Sequence, residues 1–231
     1  MVFVTGDTHG DIKRFSSSKL KGLSKNDTII VCGDFGFIWD NSKAEQRNLK
    51  KLAKKKYTIC FIDGTHENFD RLNSYRECEF KGGRAHKIAD NIYHLMRGQV
   101  YTIEGRRIFT MGGGESPDID YRFEQNTWSK DEIPSKDELR EGAENLEKFN
   151  CTVDVMITHE PPLKIKSFLN LQDESESLKV TGINTYFQEL GQMVKFDKWF
   201  FGSMHMDKFI SNSYIAVFNN IINIRTGDIL E

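Results

Sequence analysis

Cysteine is scarce in this 231-residue chain. The four that occur, Cys32, Cys60, Cys78 and Cys151, lie far apart and form no C-x-x-C pair. That argues against a thiolate-built structural metal knot, and Cys32 and Cys60, set in apolar runs, read as core thiols. No apolar stretch approaches the ~18 residues of a membrane span. No basic-then-apolar leader opens the chain either, since Met1-Val2-Phe3-Val4 runs straight into Thr5-Gly6-Asp7. Positive charge is not in excess: 32 Lys and Arg face 34 Asp and Glu, for a net charge of −2. General nucleic-acid binding, which rests on clustered positive charge, is therefore not expected. There is no G-x-S-x-G, and Gly105 with Gly112-Gly113-Gly114 makes no dinucleotide fingerprint. No linker, repeat or low-complexity tract interrupts the chain. The expectation is a soluble, reduced, cytoplasmic protein of one domain spanning residues 1–231, with its oligomeric state left open.

What is present is a sizeable apolar complement, 38% hydrophobic and 12% aromatic with 17 Phe, enough for a packed core. Val2–Thr5, Thr28–Cys32, Tyr57–Ile62, Val153–Thr158 and Lys198–Phe201 are short and nearly all apolar, as strands buried on both faces are. Between them, Ser42–Lys54 places Leu49, Leu52 and Ala53 on one helical face. Ser135-Lys136-Asp137-Glu138 is a capping box behind Pro134, leading into Leu139, Ala143, Leu146 and Phe149 at helical spacing. Ala85–Ile88, Ile92–Leu95, Gln99–Ile103 and Arg107–Met111 follow one another closely and predict an antiparallel meander. Lys208–Ile210, Tyr214–Phe218 and Ile221–Ile224 predict a second one. Parallel βα units with two antiparallel stretches imply an α/β fold, a two-sheet mixed β-sandwich flanked by helices. The basic cluster Lys50–Lys56 reads as a solvated helix face, partly offset by the acidic run Asp173–Glu176.

In open α/β sheets ligands gather beyond the carboxyl ends of the strands. Gly6-Asp7-Thr8-His9-Gly10 follows the first apolar run, Gly33-Asp34 the second and Asp63-Gly64-Thr65-His66-Glu67 the third. His159-Glu160 follows Val153–Thr158, and Gly202-Ser203-Met204-His205 follows Lys198–Phe201. Of six histidines in the chain, His9, His66, His159 and His205 stand at these ends. Imidazole with carboxylate and without thiolate suits Mn, Fe, Zn or a similar divalent ion. A bridging carboxylate such as Asp34 would serve a two-metal site acting on a phosphoryl group. Glycines beside such ligands would let backbone approach a tetrahedral phosphate.

The series D-x-H, G-D, G-x-H-E, H and G-x-x-H, in that order over residues 7 to 205, resembles the calcineurin-like metallophosphoesterases. The stretches DGTHENFDRLN (residues 63–73) and IYHLMRGQ (residues 92–99) are similar to a small bacterial and phage subgroup. The resemblance implies that Asp7, His9 and His205 bind a first metal, that Asp34 bridges, and that His159 binds a second. It implies that His66, held by Glu67, protonates the leaving group. The activity implied is metal-dependent hydrolysis of a phosphate mono- or diester by metal-activated water. The substrate would be a phosphorylated small molecule or a nucleotide.

Two positions depart from the family pattern. Thr65 stands where the family has Asn, and Ser203 stands for the first His of its G-H-x-H. Both belong to the second metal, so one ion is expected to be firmly bound. Three outcomes stay open: a weaker second ion held by the Thr65 and Ser203 hydroxyls with an acid such as Glu160; catalysis with one metal; or lost catalysis, leaving a protein that binds a phosphorylated ligand or a protein partner. The loop Gly112–Asp120 is a candidate substrate cap or an ordinary surface turn. Arg71 and Arg97 are candidate phosphate contacts or salt-bridge partners. His86 and His94, inside the predicted meander, are expected to be structural.

Overall fold

The structure, a computed structural model, describes residues 1–116, 118–172 and 179–231; the acidic run at residues 173–176 lies outside them. Its first sheet opens with three parallel strands, β1 (Val2–Thr5), β2 (Thr28–Cys32) and β3 (Thr58–Ile62), in register Val2 to Thr28 and Thr28 to Thr58. Helix α1 (Lys43–Leu52) lies between β2 and β3, and the short α2 (Phe69–Asn73) follows β3. Then come β4 (Glu77–Phe80), β5 (Gly83–Ala89) and β6 (Ile92–Leu95), with β6 parallel to β3 and antiparallel to β5. The second sheet begins with the hairpin of β7 (Gln99–Ile103) and β8 (Arg106–Met111). Helices α3 (Ile119–Glu124) and α4 (Lys136–Glu147) precede β9 (Val155–Thr158). Helices α5 (Leu163–Gln172) and α6 (Gly182–Met193) precede β10 (Lys198–Phe201). The chain closes with β11 (Lys208–Phe209), β12 (Tyr214–Ala216) and β13 (Ile222–Asn223). The strand orders are β13-β1-β2-β3-β6-β5-β4 and β11-β12-β10-β9-β8-β7.

The period-2 alternation of strands sorts the side chains into layers. Val4, Ile30, Cys60 and Ile62 from one sheet and Ile108, Val155, Ile157 and Phe200 from the other fill the space between them. The alternate residues, Phe3, Ile29, Val31 and Phe61, turn outward onto Leu52 of α1 and Leu72 of α2. Met156, Trp199 and Phe201 turn outward from the second sheet onto Leu146, Leu169 and Phe187 of α4, α5 and α6. Each such side chain, fully buried, contributes about 1.5–3 kcal/mol, so the sandwich is a rigid base for the loops at its rim. Cys32 and Cys60 are fully buried core thiols.

Neither expected meander stays in one sheet. A strand has two edges, and β6 gives both to β3 and β5, so β7 cannot pair with it and opens the other sheet. Likewise β10 and β11 occupy both edges of β12, and β13 crosses back to pair with β1. α1 ends at Leu52, and Ala53 is exposed rather than on its buried face. Ser42 caps α1, and Ser135 with Glu138 forms the expected capping box on α4. Of the basic cluster, Lys50 and Lys51 are exposed on α1, whereas Lys54, Lys55 and Lys56 lie past its end, so the cluster is only in part a helix face. Among the described residues, no helix is long and apolar enough to cross a membrane.

Candidate metal centre

The carboxyl ends of β1, β2, β3, β8, β9 and β10 meet along one rim, because all six run parallel to a neighbour. Asp7 and Asp34, 1% and 2% exposed, sit at the ends of β1 and β2. His9 and His205 come from opposite ends of the chain, yet their Nε2 atoms are 3.1 Å apart. His205 Nε2 is also 3.1 Å from Asp7 Oδ2, and His9 Nδ1 is 4.0 Å from Asp34 Oδ2. One donor atom from each of these four residues falls within 4.8 Å of all the others.

Backbone geometry shows how sharply the rim turns. His9, Asp34, Ser203 and His205 all adopt positive φ, between 44° and 58°. Non-glycine residues rarely do so, and such conformations concentrate at functional sites. The adjoining glycines make room for the carboxylates themselves rather than for a ligand. A Cβ on Gly64 would lie 2.0 Å from Asp34 Oδ1, and one on Gly202 would lie 2.2 Å from Asp7 Oδ1.

A second layer orients these groups. Both carboxylate oxygens of Asp7 accept the Ser203 amide at 3.1 Å. Asp34 Oδ1 accepts the His66 amide at 2.8 Å, and its backbone carbonyl accepts the amides of Thr8 and His9. The His205 ring stacks on Phe218, centroids 5.0 Å apart. His159 is buried; its Nδ1 donates to the Cys32 carbonyl at 3.0 Å, which turns Nε2 to within 3.8 Å of Asp34 Oδ1.

The electrostatics call for positive charge. Burial alone would raise the Asp34 pKa, but His159 and His66 outweigh it and hold the carboxyl well below the usual range. Burial opposes a charge on His159, yet Asp34, Asp7 and Glu160 together lift it to about 9. His205 is raised chiefly by its hydrogen bond to Asp7. Histidine protons thus balance two buried carboxylates, a task a divalent cation would take over by displacing them. Two imidazoles and two carboxylates with no thiolate fit a hard or borderline ion. The His–His spacing fits cis ligands at about 2.1 Å from one centre.

His66 stands at the edge of this cluster. Its Nδ1 is 3.1 Å from Asp34 Oδ2 and 3.0 Å from the Thr65 hydroxyl, and its Nε2 is 3.8 Å from Asp118. The bond to Asp34 is the main cause of its raised pKa. Glu67 does not hold it. The Glu67 carboxylate is buried on the other side of the loop, where Oε1 accepts the Phe35 amide at 2.7 Å. The reason lies in the turn after β3, which points adjacent side chains at opposite walls.

Ser203 and Thr65 are both engaged. The Ser203 hydroxyl donates to Glu160 Oε1 at 2.5 Å, while Glu160 Oε2 accepts from Lys166 at 2.6 Å and Asn184 at 3.0 Å. Arg97 and Arg71 are structural. Arg97 is buried against Asp63 at 2.6 Å, and Arg71 pairs with Glu45 at 2.6 Å. His94 donates to Asp63 and receives His86, Nδ1 to Nδ1, at 3.0 Å, so both histidines are core groups. Of the Gly112–Asp120 stretch, Ile119 and Asp120 belong to α3 rather than to a loop; Asp118 reaches His66, and Ser116 joins Glu132 and Arg122, whose Nη1 donates to the Thr65 carbonyl at 3.0 Å. Lys166, Asn184 and Arg122 carried no sequence signal, since each lies in an ordinary helical stretch.

A two-sheet α/β sandwich with a His and Asp cluster at the carboxyl rim defines a class of metal-dependent phosphoesterases. The calcineurin-like phosphoesterase family model matches residues 1–207, and the chain belongs to that family. Among curated proteins, none matches the chain.

Proposed function

We propose that the protein hydrolyses a phosphate mono- or diester with a divalent cation, Mn, Fe or Zn, held by Asp7, His9, Asp34 and His205. The observation that carries this reading is the convergence of those four donors within 4.8 Å, with the His66 ring against Asp34. A divalent cation supplies Lewis acidity toward a phosphoryl oxygen and lowers the pKa of water. Buried Asp7 and Asp34 bind and orient the charged centre. His66, its Nδ1 turned to Asp34, is placed to offer a proton from Nε2 to the departing alkoxide. Glu67, on the Phe35 amide, steadies the loop that carries Asp34. Asp34 Oδ1 and His159 Nε2 form the start of a second cation group. With the Ser203 hydroxyl on Glu160 and the Thr65 hydroxyl on His66, that group is the weaker one.

The test is hydrolysis of a chromogenic phosphodiester and its monoester by metal-stripped protein reloaded with manganese, beside Asp34→Asn. Activity that returns with manganese and vanishes in the variant supports a phosphoesterase. The engaged hydroxyls of Thr65 and Ser203 favour a second reading, a relative that binds a phosphorylated ligand or partner without turnover. No activity above the variant at any manganese concentration would select it.

A further inference from the structure

Beside His9 and His66 lies a cavity of about 440 Å³, lined also by Phe37, Trp39, Asp40 and Asn48. That volume is within the range of small-molecule sites, about 300–1,000 Å³. We infer that this cavity receives the leaving alcohol of the substrate, and that the alcohol is a nucleoside whose base stacks on Trp39. The inference rests on the phosphoester reading and deepens it.

Position comes first. The cavity is lined by His66, the proposed proton donor, and by His9 of the cluster, so a group filling it lies next to both. The chemistry of the walls comes next. They contain neither Lys nor Arg, so nothing beyond the histidines there holds a second phosphate. Asp40 and Asn48 offer hydrogen-bond acceptors to a neutral group bearing N–H or O–H donors. Trp39 lines the cavity and is 36% exposed, a partly open aromatic side chain of the kind on which bases stack.

Preorganisation is the third observation. Glu45, 8% exposed, accepts the backbone amides of Trp39, Asp40 and Asn41 at 2.6, 2.8 and 3.3 Å. Arg71 pairs with the same carboxylate at 2.6 Å. Asn68 donates to the Trp39 carbonyl at 2.6 Å. Asn68 and Arg71 belong to the segment that presents His66, so platform and proton donor are held by one piece of chain.

The experiment is isothermal titration of manganese-loaded protein with AMP and with ribose 5-phosphate, in a His66→Asn background that leaves the ester unconsumed. AMP is expected to bind about tenfold or more tightly than ribose 5-phosphate, the difference a stacked base makes. Trp39→Ala should abolish that preference while leaving ribose 5-phosphate affinity unchanged, which also shows that the variant is folded. Trp39→Phe should keep most of it. Equal affinities in the parent, or a preference that survives Trp39→Ala, would overturn the inference and leave the phosphoester reading standing. Failure of both phosphates to bind would sink that reading and this inference with it.

Discussion

His9 and His205 are separated by 196 positions, yet their ring nitrogens stand 3.1 Å apart. Both cannot point an N–H at the other, so one must offer a lone pair. Both can do so to a shared cation. Metal-stripped protein should therefore bind about one manganese tightly, and Asp34→Asn or His205→Ala should weaken it more than about a hundredfold, beyond the 10–100-fold typical of outer-shell changes. Titration calorimetry measures this directly; unchanged affinity in either variant would remove that residue from the ligand set.

Thr65→Asn with Ser203→His should raise the number of tightly bound manganese ions from about one toward two and increase turnover. The Ser203→His change also releases Glu160 from its 2.5 Å hydrogen bond. If the double variant gains neither an ion nor rate, these two positions have been assigned wrongly.

Gly202→Ala would put a methyl carbon 2.2 Å from Asp7 Oδ1 and 2.4 Å from the Cys32 carbonyl. Backbone cannot yield there cheaply. Overpacking of this kind costs about 1–3 kcal/mol, and displaced Asp7 should lower manganese affinity as well. Thermal melts with and without manganese would show both effects, and a wild-type melting temperature would refute the close approach.

Arg97 lies under the loop that carries His66, with Asp63 at 2.6 and 2.9 Å and the Asp131 carbonyl at 2.7 Å. Removing one partner of a buried pair leaves the other charge uncompensated, at about 3–5 kcal/mol. Arg97→Met should lower the urea midpoint accordingly. A loss below about 1 kcal/mol would mean that Asp63 finds another partner.

Burial, and then the neighbouring His94, pull the His86 pKa down to about 4. A histidine of the unfolded chain takes its proton near 6.5, so between these values the unfolded state binds more protons. Stability from this site is complete above about pH 6.5 and is lost as pH falls toward 4. At pH 5 the loss is up to about 2 kcal/mol. His86→Asn keeps a donor for His94 without the titration, and its unfolding free energy should fall less between pH 7 and 5 than that of the parent.

Much of the rim was legible in the chain. Asp7, His9, Asp34, His66, His159 and His205 each follow an apolar run, and the structure brings all six to one edge. Strand boundaries were close because nearly unbroken apolar runs admit few alternatives. The meanders differ from the expectation because hydrophobic patterning reports which faces are buried and is silent on which edges are already taken. β6 and β12 are saturated by partners distant in sequence. The partner of His66 is Asp34 rather than Glu67 for a similar reason, since adjacency of Glu67 in the chain says nothing of which wall each side chain faces.

The sequence alone determined the layers and the inventory of the site. Nearly unbroken apolar runs must bury both faces of each strand, and Asp and His after each strand must emerge at its end. Only the tertiary structure decided who meets whom. That Asp34 rather than Glu67 receives His66, that Ser203 is bound to Glu160, itself paired with Lys166, and that Trp39 borders the same cavity as His9 follow from the packing of two sheets. Packing is a property of distances between elements, and no local pattern along the chain encodes those distances.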